Sequence, residues 1–198
     1  MAEREILIRV AALGDLDAIY HLYTNYMFDS YLLKFGSPFV KKYLKVILKS
    51  TACVTLVAID SHITGFIMAA FNCKKILSEL FFNIEILLAW IKQILARPSI
   101  AFKSLGLILY SLNTSIKNVD AEFLFIAIEP RYRKIGLGTR LIKKVLNLMK
   151  QNGIKKIKVS TLESNEVVNA LLKKLGFELK KTFKLFKKYM YLYEYELD

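Results

Sequence analysis

Residues 126–141 read Ile126-Ala127-Ile128-Glu129-Pro130-Arg131-Tyr132-Arg133-Lys134-Ile135-Gly136-Leu137-Gly138-Thr139-Arg140-Leu141. The apolar start extends back to Glu122 as a strand, and apolar residues at helical spacing carry the far end on to Gln151, where Asn152-Gly153 stops the helix. Strand, basic glycine turn and helix together make a physical recipe for binding phosphate. Glycines let backbone N–H groups approach oxygen closely, the helix N-terminus adds partial positive charge, and Arg133 and Lys134 add full charges. Many strand-to-helix turns carry glycine for geometry alone, so the arrangement by itself names no ligand. Two common phosphate loops are excluded. A dinucleotide fingerprint starting at Gly136 needs glycine or alanine where Leu141 stands, and no GxxxxGK[ST] occurs.

Upstream of this stretch, Glu5 to Val10 reads as a strand, and Gly14-Asp15 opens a helix with Leu16, Ile19, Leu22 and Tyr23 on one side. A second helix begins near Pro38, with Lys41, Lys42, Lys45 and Lys49 towards water. Ala52 to Ile59 and Ile63 to Phe71 form a strand pair around the turn Asp60-Ser61-His62, which makes His62 a turn residue. Residues 73–118 interrupt the strands with two predicted helices, Lys74 to Ala96 and one after Pro98 reaching Leu112. Downstream come a strand (Ile154 to Ser160), a helix (Asn165 to Lys174) ended by Gly176, and two strands (Phe177 to Phe186, Tyr189 to Leu197). The last of these puts Tyr189, Tyr191, Tyr193 and Tyr195 on one face. The order implies a mixed α+β fold around one sheet.

The 198 residues, 55% hydrophobic and 24% charged, supply one sizeable core, so a single domain is expected. A net charge of +13 favours anionic partners without choosing among nucleic acid, membrane and polyphosphate cofactor. No aromatic-basic signature supports nucleic acid. Cys53, Cys73, His21 and His62 form no metal-ligand cluster, and no metal is expected. The start Met1-Ala2-Glu3-Arg4-Glu5 lacks the pattern of a signal peptide, and Glu79, Glu85 and Lys92 interrupt the longest apolar run, so a cytoplasmic protein is expected, with contact at a membrane surface left open.

The stretch Ile126 to Leu141 resembles motif A of the GCN5-related N-acetyltransferase (GNAT) superfamily, whose loop is (Arg/Gln)-x-x-Gly-x-(Gly/Ala); Arg133, Gly136 and Gly138 match it position for position. Asn165, with Gly176-Phe177 eleven and twelve residues later, resembles the family's motif B. The resemblance implies a central, mostly antiparallel sheet flanked by helices, with residues 73–118 as a helical insertion between the third and fourth strands. It further implies an N-acetyltransferase that uses acetyl-CoA, with an unidentified acceptor such as an amino sugar or small amine. In such a protein the amides of Arg133, Lys134, Ile135, Gly136, Leu137, Gly138 and Thr139 hold the cofactor's pyrophosphate. The backbone of Ile126-Ala127-Ile128 pairs with the pantetheine arm like an added strand, and Asn165, itself a good helix cap, bonds to it.

Within that resemblance Glu122, six residues before Ile128, matches the glutamate that serves as general base in the histone-acetylating branch. Simple alternation puts Glu122, Leu124, Ile126 and Ile128 on one face, where apolar neighbours would raise its pKa; a solvent-exposed glutamate at a strand end is the alternative. The tyrosine that protonates the leaving thiolate in many members is absent, its position being Leu172. Tyr189, Tyr191 or Tyr193 are candidate replacements, although strand tyrosines more often only pack. Without a proton donor, a non-catalytic acyl-CoA-binding or sensing module is the second reading. In the insertion, Ile76, Leu77, Leu80, Phe81, Ile84, Leu87, Leu88, Ile91 and Leu95 form the expected core stripe, and Phe82, Ile86, Ala89 and Trp90 a second apolar face. The neighbouring helix, a second subunit, a long acyl chain or a membrane carrying a lipid-linked acceptor are the candidates to cover that face.

Overall fold

The computed structural model describes residues 6–100, 104, 106, 110, 111, 113–185 and 187–197. The chain runs β1 (Leu7–Val10), α1 (Leu16–Tyr26), α2 (Ser37–Lys49), β2 (Cys53–Ile59), β3 (Ile63–Ala70), α3 (Cys73–Phe81), α4 (Ile84–Ala96), β4 (Ala121–Ile128), α5 (Leu137–Gln151), β5 (Lys156–Leu162), α6 (Glu166–Lys174), β6 (Glu178–Leu185) and β7 (Lys188–Glu196). The strands form one seven-stranded sheet in the order β1-β2-β3-β4-β5-β7-β6, antiparallel throughout except between β4 and β5. The mixed, mostly antiparallel sheet expected from the sequence is therefore present.

Helices cover both faces of the sheet. On one face α5 buries Leu137, Leu141, Ile142, Val145, Leu146 and Met149, the stripe that its 3.6-residue period requires, against Leu56, Ile67, Phe123 and Ile157. At about 1.5–3 kcal/mol for each large apolar side chain, this contact is a principal source of the fold's stability. On the other face α1 and α2 pack Ile19, Leu22, Tyr23, Phe39, Val40 and Leu44 onto Val57, Phe66 and Met68.

Residues 74–96 form two helices where the sequence suggests one. Asn83 interrupts the run: its Oδ1 accepts from the Ile86 amide at 3.1 Å and caps α4 as a new helix. The break changes the helical phase: in α3 Ile76 and Leu80 of the expected core stripe stay inward, while in α4 the expected faces are reversed. Ile76, Leu80, Ile86, Ala89, Trp90 and Ile94 pack inward, while Leu77, Ile84, Leu87, Leu88, Ile91 and Leu95 are exposed. Of the helix expected after Pro98, Phe102, Leu105, Leu109 and Leu112 lie outside the described residues, whereas Ile100 is fully buried. Among the described residues no helix is long and apolar enough to cross a membrane.

Candidate active site

The central feature is a split in the sheet. β4 and β5 pair only at Ala121↔Ile157, Glu122↔Lys158 and Phe123↔Val159, after which residues 124–128 of β4 have no partner on β5. β3 stays paired with β4 as far as Ile128, and β7 stays paired with β5 as far as Leu162, so the two halves part as intact sheets. The wedge between them exposes a strand edge inside the sheet, and such an edge can take an added extended segment.

A bulge sits at the apex of the wedge. Met68 pairs with Phe125 but Ala69 with Phe123, leaving Leu124 as an extra residue in β4. Strand parity flips there. Ile126 and Ile128 pack with Phe123 on the α5 side, whereas Glu122 shares the opposite face with Phe125 and Ala127. The expectation that Glu122 lies on one face with Ile126 and Ile128 is thus corrected: alternation cannot be carried across an inserted residue.

At the mouth of the wedge, β4 turns into α5. Two contacts to the β2–β3 turn hold the base of this loop: Tyr132 Oη donates to Asp60 Oδ2 at 2.8 Å, and His62 Nε2 lies 2.9 Å from Glu129 Oε1. Lys134 and Gly136 take left-handed conformations, with φ of 62° and 83°, and Gly136 caps α5 without any side-chain bond. Among the described residues nothing accepts from the amides of residues 134–139, and no heavy atom lies within 4 Å of where a Gly136 Cβ would point. Free N–H groups at a helix N-terminus are chemically able to receive an anion. The Arg133 amide is already bound to Pro130 O at 3.2 Å, and its side chain donates to Ile128 O at 2.8 Å and lies over Tyr26. Across the wedge mouth, Asn165 caps α6 by accepting from the Val168 amide at 3.3 Å. A Cβ on Gly138 would lie 3.4–3.5 Å from Leu171 and Ile128.

The family model described as the acetyltransferase (GNAT) family matches residues 16–177. The chain belongs to this family. Acyl transfer from acetyl-CoA to an amine is accordingly its class of reaction, and acetyl-CoA its cosubstrate. Solved structures with the same fold include the ribosomal-protein-S18-alanine N-acetyltransferase of Escherichia coli, at TM-score 0.62 and 13% identity over 97% of this chain and 94% of that one. Another is the PaiA N-acetyltransferase of Thermoplasma acidophilum in complex with coenzyme A, at 0.59 and 17% over 96% and 99%. A third is Arabidopsis thaliana NAA60 in complex with acetyl-CoA, at 0.61 and 14% over 97% and 98%. At these identities the neighbours speak for the fold.

Around the GNAT wedge the structure gathers groups that sequence reading did not single out. Glu122 is 5% exposed, which replaces the alternative of a solvated strand-end acid. Its Oε1 accepts from Tyr110 Oη at 2.5 Å; its Oε2 accepts from Cys73 Sγ at 3.5 Å and lies 3.6 Å from Lys158 Nζ. Tyr110 Oη is also 2.5 Å from Ser160 Oγ, and Lys158 Nζ donates to Thr114 O at 2.7 Å. Burial pushes the Glu122 carboxyl above its ordinary range, against the opposing pull of Lys158 and the hydrogen bonds from Tyr110 and Cys73. Tyr110 and Cys73 come from the segment between β3 and β4, far from the recognisable motifs; an isolated tyrosine in a helical run gives no signal of its partner.

On the opposite face Leu172 is buried, and Tyr193 is buried in the same cluster. Tyr193 pairs with Val159 at the wedge apex, and its hydroxyl has no hydrogen-bond partner among the described residues. Tyr191 donates to Glu163 Oε1 at 2.9 Å, and Tyr189 is half exposed beside Lys184 at the far end of the hairpin. Lys188 pairs with Asp29, tying the start of β7 to the α1–α2 connection. Asn169 Nδ2 holds the β5–α6 turn through Leu162 O and Glu163 O, both at 3.0 Å. Among the described residues no three His, Cys, Asp or Glu side chains converge to hold a metal ion.

Proposed function

We propose that the protein binds acetyl-CoA along the wedge and acetylates an amine that enters on the α1–α2 face, with Glu122 as the ultimate proton acceptor and Tyr193 as the proton donor. What carries the reading is the early parting of β4 from β5 above a loop of free amides. The amides of residues 134–139 suit a pyrophosphate, with Lys134 adding charge, and the edge at Ile126-Ala127-Ile128, unpaired with β5 and engaged only by the Arg133 side chain at Ile128 O, suits the amides of an extended pantetheine arm. Asn165, beside the same opening, can bond to that arm while capping α6. Bound there, acetyl-CoA would supply an acyl thioester, whose thiol of ordinary pKa about 8.5 is already a tolerable leaving group.

The two ionisable groups flank the wedge from opposite faces, as the two ends of the reaction require. On the acceptor side both Glu122 oxygens are occupied, Oε1 by Tyr110 and Oε2 by Cys73 and Lys158, and the Tyr110 hydroxyl stands between the acid and Ser160. A proton arriving at Tyr110 Oη can be matched by the phenol's own proton passing to Glu122 Oε1, so the relay returns Tyr110 to its starting state. The raised carboxyl pKa of Glu122 makes it a stronger proton acceptor than an ordinary glutamate. On the cofactor side, the orphaned Tyr193 hydroxyl occupies the apolar cluster in which Leu172 replaces the family's usual tyrosine, and a buried O–H without a partner is poised to bond to a newly formed thiolate. Tyr191, committed to Glu163, and Tyr189, exposed at the hairpin end, are less suited to that role.

The experiment is thiol release from acetyl-CoA across a panel of amino sugars, polyamines and peptide amines. Amine-dependent release supports the reading. Saturable acetyl-CoA binding without release to any amine would favour the non-catalytic module.

A further inference from the structure

We infer that α3 and α4 form a docking surface for an anionic membrane. Phe81, Phe82, Ile84, Leu88 and Leu95 are between 58% and 83% exposed, although the same two helices already bury Ile76 and Ile86 against the body of the protein. The rings of Phe81 and Phe82 meet edge to face, 6.1 Å apart, at the junction of the helices. A contiguous set of large apolar side chains kept in water marks a surface built to be covered.

Charge identifies the cover. α2 packs beside both helices and carries Lys41, Lys42, Lys45 and Lys49. Residues 37–49 and 73–97 together hold eight lysines and arginines against two glutamates, in a chain of net charge +13. Where α2 meets the start of α4, a crevice of about 60 Å³ is lined by Lys42, Lys45, Val46, Lys49, Asn83 and Glu85. Glu85 occupies Lys45 at 3.7 Å and its carbonyl receives Lys42 at 3.5 Å, while Lys49 makes no hydrogen bond or ion pair among the described residues. A small cationic crevice beside an aromatic and aliphatic ridge matches the two layers of a membrane surface, phosphate headgroups and acyl chains. A second copy of this chain, joined through the same face about a two-fold axis, would set lysines against lysines. The inference stands apart from the proposed chemistry, since it uses no residue of the wedge.

The test is sedimentation with vesicles of phosphatidylcholine alone and of phosphatidylcholine mixed with phosphatidylglycerol, using the full chain. Wild type is expected to partition onto the mixed vesicles, with affinity falling as salt rises. A Phe81→Ser/Phe82→Ser/Leu88→Ser variant should lose that partition while keeping its circular dichroism. A Lys42→Gln/Lys45→Gln/Lys49→Gln variant should weaken it roughly a hundredfold, at about fivefold for each lysine near the surface. Wild type that ignores both vesicles overturns the proposal, as does binding that survives in both variants. Concentration-dependent dimers that disappear in the serine variant, without vesicle binding by wild type, would assign the surface to a second copy instead.

Discussion

The Tyr110 hydroxyl donates to Glu122 Oε1 at 2.5 Å and lies equally close to Ser160 Oγ, so a side chain from outside the recognisable motifs closes the buried acid against the sheet. If protons reach Glu122 only through this contact, Tyr110→Phe should lower kcat by roughly 10²–10⁴-fold, the usual contribution of a positioned proton-transfer group, with little change in acetyl-CoA affinity. Steady-state kinetics alongside calorimetry check this, and an unaltered kcat would remove the relay.

The pH dependence follows from the burial of Glu122. Its carboxyl is raised above the ordinary 4.5, so the ionised, proton-accepting form appears only at higher pH, and kcat/KM should rise through an apparent pKa above that value. The sign for stability is opposite. The fold favours the neutral acid, so this contribution is full below the unfolded pKa and is lost as pH rises through the raised folded value. Glu122→Gln should abolish the acid limb of the rate profile and flatten this part of the stability profile; an unchanged limb would assign it to another group.

Lys158 is 7% exposed and is the counter-ion of Glu122, so Lys158→Met strands a buried carboxylate. The expected cost is about 3–5 kcal/mol near neutral pH, most of it recovered when Glu122 is also made apolar. Urea denaturation of the single and double variants measures this, and equal losses in both would contradict it.

The sequence made some parts of this arrangement legible. The limits of α5, Leu137–Gln151, follow from its strict apolar period and from Asn152-Gly153. The wedge loop was readable because Gly136 and Gly138 fall at fixed spacing from Arg133, and because a left-handed backbone calls for glycine. The bulge at Leu124 was not, since the residues around it are all apolar and only the register with β3 shows which one is extra. The phase of α4 was missed for a similar reason. Ile84 to Leu95 is apolar on nearly every side, so its period does not fix the rotation, and Asn83 starts a new helix there by accepting from the Ile86 amide. Contacts such as Tyr110 to Glu122 and Cys73 to Glu122 join residues 12 and 49 positions apart through tertiary packing, which no local pattern encodes.

Tyr193 offers a separate test of the cofactor side. Removing its unpartnered hydroxyl, Tyr193→Phe should leave stability unchanged or slightly raised, because a buried orphan O–H is lost. Turnover with acetyl-CoA should nevertheless fall, and fall less with acyl donors whose leaving thiol is more acidic. Full activity in this variant would leave the thiolate without a protein donor.

The two loop glycines should separate conformational from steric effects. Gly136 has φ of 83°, so Gly136→Ala should cost about 1–2 kcal/mol of stability. Gly138→Ala meets Leu171 and Ile128 at ordinary contact distance and should stay within about 0.5 kcal/mol of wild type. Equal losses in urea denaturation would contradict the distinction.

The most direct measurement is calorimetric titration of acetyl-CoA into wild type and into Gly138→Trp, with circular dichroism confirming that the variant is folded. An indole at position 138 would fill the space beside Ile128 and Leu171, where the unpaired edge of β4 meets the free amides of the loop. Saturable binding at one site is expected in wild type, and its loss in the variant. A folded Gly138→Trp protein that binds acetyl-CoA with wild-type affinity, or a wild type that does not bind it at all, would contradict the assignment of the wedge.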